Sequence, residues 1–219
     1  EKDFNPSKVI PEIVGYSLKQ DYKSVEGLLI ELYLSGIQLT SLMDDYIEPV
    51  LVSIQNHLDN KKISVAEEHI ARKIVSKGLG QFKLSVINTV KDNGISVLTL
   101  NLENDIPDLP IDMIQILLED QGYNVHNCGS HTSIKDIKSL LSKKNYEAIF
   151  IYLCDRQCCT STLVDNIDKT NSDLEQIVGL SKKYDIKLFL GGPSFENINQ
   201  GLLKNFNLFT KYSEALQIS

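Results

Sequence analysis

The sequence predicts an α/β protein: four packed helices, then a parallel β-sheet with helices on both faces. Three observations predict it. Apolar residues recur at threes and fours from Pro11 to about Val90. After Asp92-Asn93-Gly94 the pattern changes to short apolar runs alternating with amphipathic stretches. The 219 residues, 42% hydrophobic and 23% charged, allow one large domain or two modest ones.

In the first half, Val25, Leu28, Leu29 and Leu32 form one stripe, and Gly36 punctuates that helix. Leu42, Tyr46, Val50, Ile54 and Leu58 form the next, with Pro49 as an expected kink. Asp59-Asn60-Lys61-Lys62 makes a turn. Ser64 with Glu67 three residues on reads as a capping box for a last helix carrying Val65, Ile70, Ile74, Leu79, Phe82 and Val86. This is a helical bundle over residues 1–92. In the second half, strands are expected at Ile95–Leu100, Tyr123–His126, Ala148–Leu153 and Ile186–Leu190. Helices are expected at Ile111–Leu118, Ile134–Leu141 and Leu174–Tyr184, with a weaker helix and strand after them. Residues 93–219 thus read as a flavodoxin-like (Rossmann-like) domain. Ligands of such sheets bind outside the carboxyl ends of the strands, in the loops after Leu100, His126, Leu153 and Leu190.

The net charge of −7 and a pI near 5.1 leave no basic face for gripping nucleic acid. No apolar run approaches the roughly 20 residues that span a bilayer, and no signal peptide opens the chain. A cytoplasmic protein is expected, with no membrane partner. Because the first residue is Glu1, a longer protein is expected, any DNA contact lying in a separate domain. The four cysteines at 128, 154, 158 and 159 are expected as reduced thiols.

Ser64-Val65-Ala66-Glu67-Glu68-His69, following Asn60-Lys61-Lys62-Ile63, resembles the cap signature of MerR-type, light-sensing, cobalamin-dependent repressors. The second half resembles their cobalamin-binding Rossmann-like domain, which methionine synthase and corrinoid proteins share. That family carries Asp-x-His-x-x-Gly after the first strand, Ser-x-Leu after the third and Gly-Gly after the fourth. The first element falls on Asp105-Ile106-Pro107-Asp108-Leu109-Pro110, so proline stands where the cobalt-ligating histidine would be. The second falls on Tyr152-Leu153-Cys154, a phenol in place of a small hydroxyl. Gly129 and Gly191-Gly192 are retained, Leu58 stands where the cap has tryptophan, and Glu68 and His69 match the cap's polar pair.

The resemblance implies a non-enzymatic sensor of a transcription regulator, self-associating as dimer or tetramer. The expected ligand-binding residues are Leu58, Glu68, His69, Asp105, Cys128, Gly129, Tyr152, Cys154, Gly191 and Gly192, with His69 as a candidate metal ligand. A tetrapyrrole (bilin, haem or atypically held cobalamin), or no cofactor, is expected, because Pro107 offers no ligand atom and Pro110 and Tyr152 crowd the slot for the cofactor's nucleotide tail. The alternatives are a protein-interaction domain with a filled pocket and a corrinoid carrier for methyl transfer.

Residue types leave bland roles open beside the sharp ones. His69 is equally a polar seam residue. Cys154, Cys158 and Cys159 suit thioether or thiolate chemistry, or serve as small loop residues. Asp108 is expected as the N-cap of the helix near Leu109. His126 and His131 are expected in solvent, and His57 as a helix C-terminal charge.

Overall fold

The computed structural model describes residues 4–87, 91–103, 105, 109–154, 166–193 and 197–216. The chain divides into two compact units, Glu1–Asn88 and Thr89–Ser219.

In the first unit, α1 (Pro6–Leu18) is capped by the Asn5 side chain, which accepts from the Ser7 N–H. Asp21 caps α2 (Tyr22–Leu34), which buries the expected stripe Val25, Leu28, Leu29 and Leu32. Gly36, at φ 97°, then turns the chain through a conformation that glycine adopts without strain. A short α3 (Leu39–Ser41) and a π-helical turn (Leu42–Ile47) lead into α4 (Glu48–Asp59). Helical residues run without a break from Leu39 to Asp59, so Pro49 lies inside that run, and the widened π-helical turn just before it accommodates the missing N–H and the crowding of the proline ring.

Helix α5 (Val65–Val86) begins with the expected capping box: the Ser64 N–H donates to the Glu67 carboxylate at 2.7 Å, and the Glu67 N–H donates to Ser64 Oγ at 3.3 Å. Its buried stripe differs from the expected one. Glu68, Ala71, Val75, Gly78, Leu79 and Phe82 face the core, whereas Val65 and Ile70 are exposed. The reason is close packing against α2. A Cβ at Gly78 would lie 2.6 Å from Val25 Cγ1, so only glycine allows this approach.

The second unit is a five-stranded parallel sheet, ordered β2-β1-β3-β4-β5. Its strands are β1 (Ser96–Leu100), β2 (Asn124–Asn127), β3 (Ala148–Tyr152), β4 (Lys187–Gly191) and β5 (Asn207–Phe209). This is the flavodoxin-like order. Even-numbered residues of β1 and odd-numbered residues of β3 meet α7 (Ile134–Leu141), α8 (Ile167–Tyr184) and α9 (Gln200–Leu203) in one core: Leu98, Leu100, Ile149 and Ile151 pack with Ile137, Leu141, Leu174 and Ile177. Helix α6 (Leu109–Asp120) and a 3-10 turn (Tyr212–Leu216) pack together on the other side. Helix α8 starts at Ile167, earlier than Leu174. Its first turns are polar, yet Asp173 is buried because Lys169 Nζ pairs with it at 2.5 Å. No described helix is long and apolar enough to cross a membrane.

Candidate functional site

In this strand order β1 and β3 are neighbours whose following segments diverge, so a crevice is expected where they part. Among the described residues, a side chain bridges the two segments that part there. Asp105, 6% exposed, accepts the Cys154 N–H on Oδ2 at 2.9 Å, joining the loop after β1 to the end of β3. The Asp105 carbonyl accepts from the His131 N–H at 3.3 Å. Gly129 lies in the loop after β2, where its carbonyl accepts from the Asn101 N–H and its own N–H donates to Asn127 Oδ1. The Leu153 N–H donates to the Gly191 carbonyl at 2.8 Å. Gly192, at φ 110°, lies so close to Leu153 that a Cβ would stand 2.0 Å from its carbonyl oxygen. Gly192 thus serves close backbone approach, whereas Gly129, at φ 68°, has open space where a Cβ would be.

Tyr152 pairs in register with Gly191 and is buried. Its ring lies parallel to that of Tyr212, with centroids 6.1 Å apart and 7° between planes. The space over Gly191 holds the Phe209 ring, which a Cβ there would meet at 2.1 Å. Phe150 and Phe189 stack one step below, at 4.4 Å. Tyr212 and Phe209 belong to this arrangement and were not expected from the sequence. The signal was weak: both lie in a short polar-flanked tail without strong periodicity.

On the flank, His126 is half-buried rather than in solvent. Its Nδ1 lies 2.7 Å from the Tyr146 hydroxyl and its Nε2 lies 2.9 Å from Lys144 Nζ. An ammonium only donates, so Nε2 accepts and Nδ1 carries the proton toward Tyr146. Burial, then the Lys144 charge, holds this imidazole below the usual histidine range. Burial, then the Asp136 carboxylate, pushes the Cys128 thiol up, which disfavours its thiolate. Cys154 is buried, 7% exposed. Lys169 bridges Glu103 at 2.6 Å and Asp173. Burial opposes its charge, but those two carboxylates outweigh it and hold the ammonium above its usual range.

Seven of the expected site residues, Asp105, Cys128, Gly129, Tyr152, Cys154, Gly191 and Gly192, therefore lie at or just beyond strand ends of the second unit. Pro107, Asp108, Cys158 and Cys159 lie outside the described residues. In the first unit, Leu58 is half-buried near the end of α4. Glu68 is fully buried and pairs with Arg72, whose guanidinium also donates to the Leu51 carbonyl and to Gln55 of α4. His69 lies 3.7 Å from Glu68, its side chain 54% exposed. His57 stays within its own helix, Nδ1 2.8 Å from the Ser53 carbonyl. Among the described residues, no three His, Cys, Asp or Glu side chains group as metal ligands.

No protein-family model matches the chain, and no curated protein matches its sequence. Solved structures do match in shape. The monomethylamine corrinoid protein of Methanosarcina barkeri has 11% identity, covers 98% of each chain and gives a TM-score of 0.71. The methanol:cobalamin methyltransferase complex of Methanosarcina barkeri has 16% identity over 98% of this chain and 83% of that one, with a TM-score of 0.44. A cobalamin-binding protein from Desulfitobacterium hafniense has 12% identity over 95% and 96% of the two chains, with a TM-score of 0.46. The last two scores are too low to support more. The first establishes the fold: a helical region followed by a five-stranded parallel sheet with helices, similar to a corrinoid protein's helical and Rossmann-like parts.

Proposed function

We propose that this chain is a non-enzymatic interaction module of a bacterial transcription regulator, in which the strand-end crevice is filled by the protein itself. The supporting observations are Asp105 bonded to the Cys154 N–H, which joins the segments after β1 and β3, and Tyr152 stacked on Tyr212 at the β3–β5 side of the strand ends. Its output is self-association to a dimer or tetramer, with DNA engaged through a separate domain.

Cobalamin held base-off fits these residues poorly. Such binding needs an imidazole beside the strand ends, oriented by a carboxylate. The carboxylate is present, but Asp105 spends Oδ2 on a backbone N–H, and Pro107 carries no ligating atom. The nucleotide tail needs apolar room, and Tyr152, Tyr212 and Phe209 take up that side of the sheet. Covalent bilin attachment or thiolate-held haem gains no support from Cys128, whose thiolate is disfavoured.

The test is to incubate the protein with hydroxocobalamin, haem and biliverdin, desalt it, and record absorbance and sedimentation velocity. The expected result is colourless protein whose assembly state ignores all three pigments. Stoichiometric retention of any pigment, or a strict monomer at every concentration, contradicts the reading. A second reading, a corrinoid carrier, is favoured by the likeness that covers 98% of both chains. It requires retention of cobalamin in the same experiment.

A further inference from the structure

The segment that leads into β1 carries Asp92-Asn93-Gly94-Ile95, and Asn93-Gly94 is the chain's single Asn-Gly pair. Residues 91–94 are exposed, so water reaches them. The backbone here is pinned: the Asn93 N–H donates to the Gly122 carbonyl at 2.9 Å, and the Asn124 N–H donates to the Ile95 carbonyl at 2.9 Å. Consecutive side chains then bond forward onto the main chain. Asp92 Oδ1 accepts the Gly94 N–H at 2.8 Å, and Asn93 Oδ1 accepts the Ile95 N–H at 2.9 Å. Each contact closes a turn in which a side chain folds back over the peptide that follows it.

These bonds set the groups in an order that chemistry can use. The Gly94 nitrogen becomes a nucleophile when its proton leaves, and that N–H already donates to the Asp92 carboxylate, a base. The Asn93 side-chain amide is the electrophile, and the Ile95 N–H points at the oxygen on which negative charge develops. The nitrogen that would leave, Asn93 Nδ2, is held loosely, 3.5 Å from the Gln121 carbonyl. Gly94, at φ 78°, has open space where a Cβ would stand, so no side chain of its own shields the attacking nitrogen.

The geometry points to Asn93-Gly94 as a self-modifying site, at which the folded chain converts Asn93 through a cyclic imide into aspartate and isoaspartate. The Gly94 N–H proton passes to Asp92 as the Gly94 nitrogen bonds to Asn93 Cγ. The tetrahedral oxyanion collapses, the Cγ–Nδ2 bond breaks, and ammonia leaves with the proton that Asp92 returns. Water then opens the ring at either carbonyl, so one ammonia is lost and one water gained overall. Opening on the main-chain side routes the backbone through the side-chain carbons of residue 93, which lengthens the chain just ahead of β1. Either product sets a second carboxylate beside Asp92. Glycine after asparagine leaves room for ring closure in any chain; here the fold adds a positioned base and an oxyanion donor.

The experiment ages the full chain at neutral pH, natively folded and unfolded in guanidinium chloride, and maps its peptides by mass spectrometry. The folded wild type is expected to convert Asn93 at least about threefold faster than the unfolded chain, with isoaspartate among the products. Asp92→Ser keeps an oxygen for the Gly94 N–H but supplies no base. It is expected to slow the folded chain by at least about fivefold and to change the unfolded rate by less than about twofold. Equal or slower conversion in the folded wild type overturns the inference, and this comparison stands without the variant. An Asp92→Ser effect that is absent, or equal in both states, overturns it too, as does aspartate formed without isoaspartate.

Discussion

Asp105 shows how one side chain can be recognised in a sequence while its role is not. Its position after the first strand was legible through the family resemblance, which sets it on the acid of Asp-x-His-x-x-Gly. Its partner was not, since the Cys154 N–H lies 49 residues away and a backbone donor leaves no mark in sequence. Asp105→Ala strands that buried N–H, and the expected cost is about 1–3 kcal/mol in urea unfolding. Asp105→Asn keeps an oxygen acceptor and is expected to cost clearly less; equal losses would mean that the hydrogen bond carries no weight. His126 gives a pH signature. Its pKa in the folded protein lies below the ordinary 6.5, so the unfolded chain takes up the proton first. The stability this group contributes is therefore present above the ordinary value and lost as the pH falls through the folded pKa. His126→Gln is expected to flatten that part of the stability–pH curve, and an unchanged slope would assign it to other groups.

At the scale of elements, α5 separates what periodicity reveals from what it hides. The capping box at Ser64 was readable because both partners sit three residues apart. The buried stripe was misread because it is made of small and charged residues, Glu68, Ala71 and Gly78 among them, while two large apolar residues, Val65 and Ile70, face outward. Hydrophobicity alone cannot find a stripe chosen for close approach or for a buried ion pair. A pair of glycine substitutions tests the packing reason directly. Gly80 has open space around its missing Cβ, so Gly80→Ala is expected to stabilise by up to about 1 kcal/mol through helix propensity. Gly78→Ala gains the same propensity but drives a methyl into fully buried Val25 and toward the Tyr22 carbonyl. Overpacking costs about 1–3 kcal/mol, so the net change is expected to be destabilising. Thermal melts giving both variants the same sign would contradict the close α2–α5 approach. The π-helical turn at Leu42–Ile47 was likewise hidden: its apolar spacing resembles an ordinary helix, and only Pro49 hinted at an adjustment.

For the whole molecule, the change of period near Asp92 was enough to reveal a helical part followed by alternating strands and helices, because burial on one helix face and on two sheet faces imposes different spacings. The sheet order, with β1 at the switch point beside β3, follows from general rules for such folds rather than from any residue. The contacts at the strand ends were only half legible. Pro110, buried in the first turn of α6, and Tyr152 both signalled crowding, whereas Tyr212 and Phe209 come from far along the chain, Tyr212 60 residues beyond Tyr152, and only the fold brings them in. This distribution has a consequence for engineering. Pro107→His alone is expected to leave cobalamin binding weak in equilibrium dialysis, because it supplies a nitrogen but no room. Adding Pro110→Gly and Tyr152→Ser is expected to raise affinity by at least about tenfold, or about 1.4 kcal/mol; full affinity from the histidine alone would show that crowding is irrelevant. The most direct measurement of the self-filled crevice is electron paramagnetic resonance of cob(II)alamin mixed with 15N-histidine-labelled wild-type protein. The expected spectrum is that of the free cofactor with its own base on cobalt, and a base-off spectrum with coupling to a protein histidine nitrogen would contradict it.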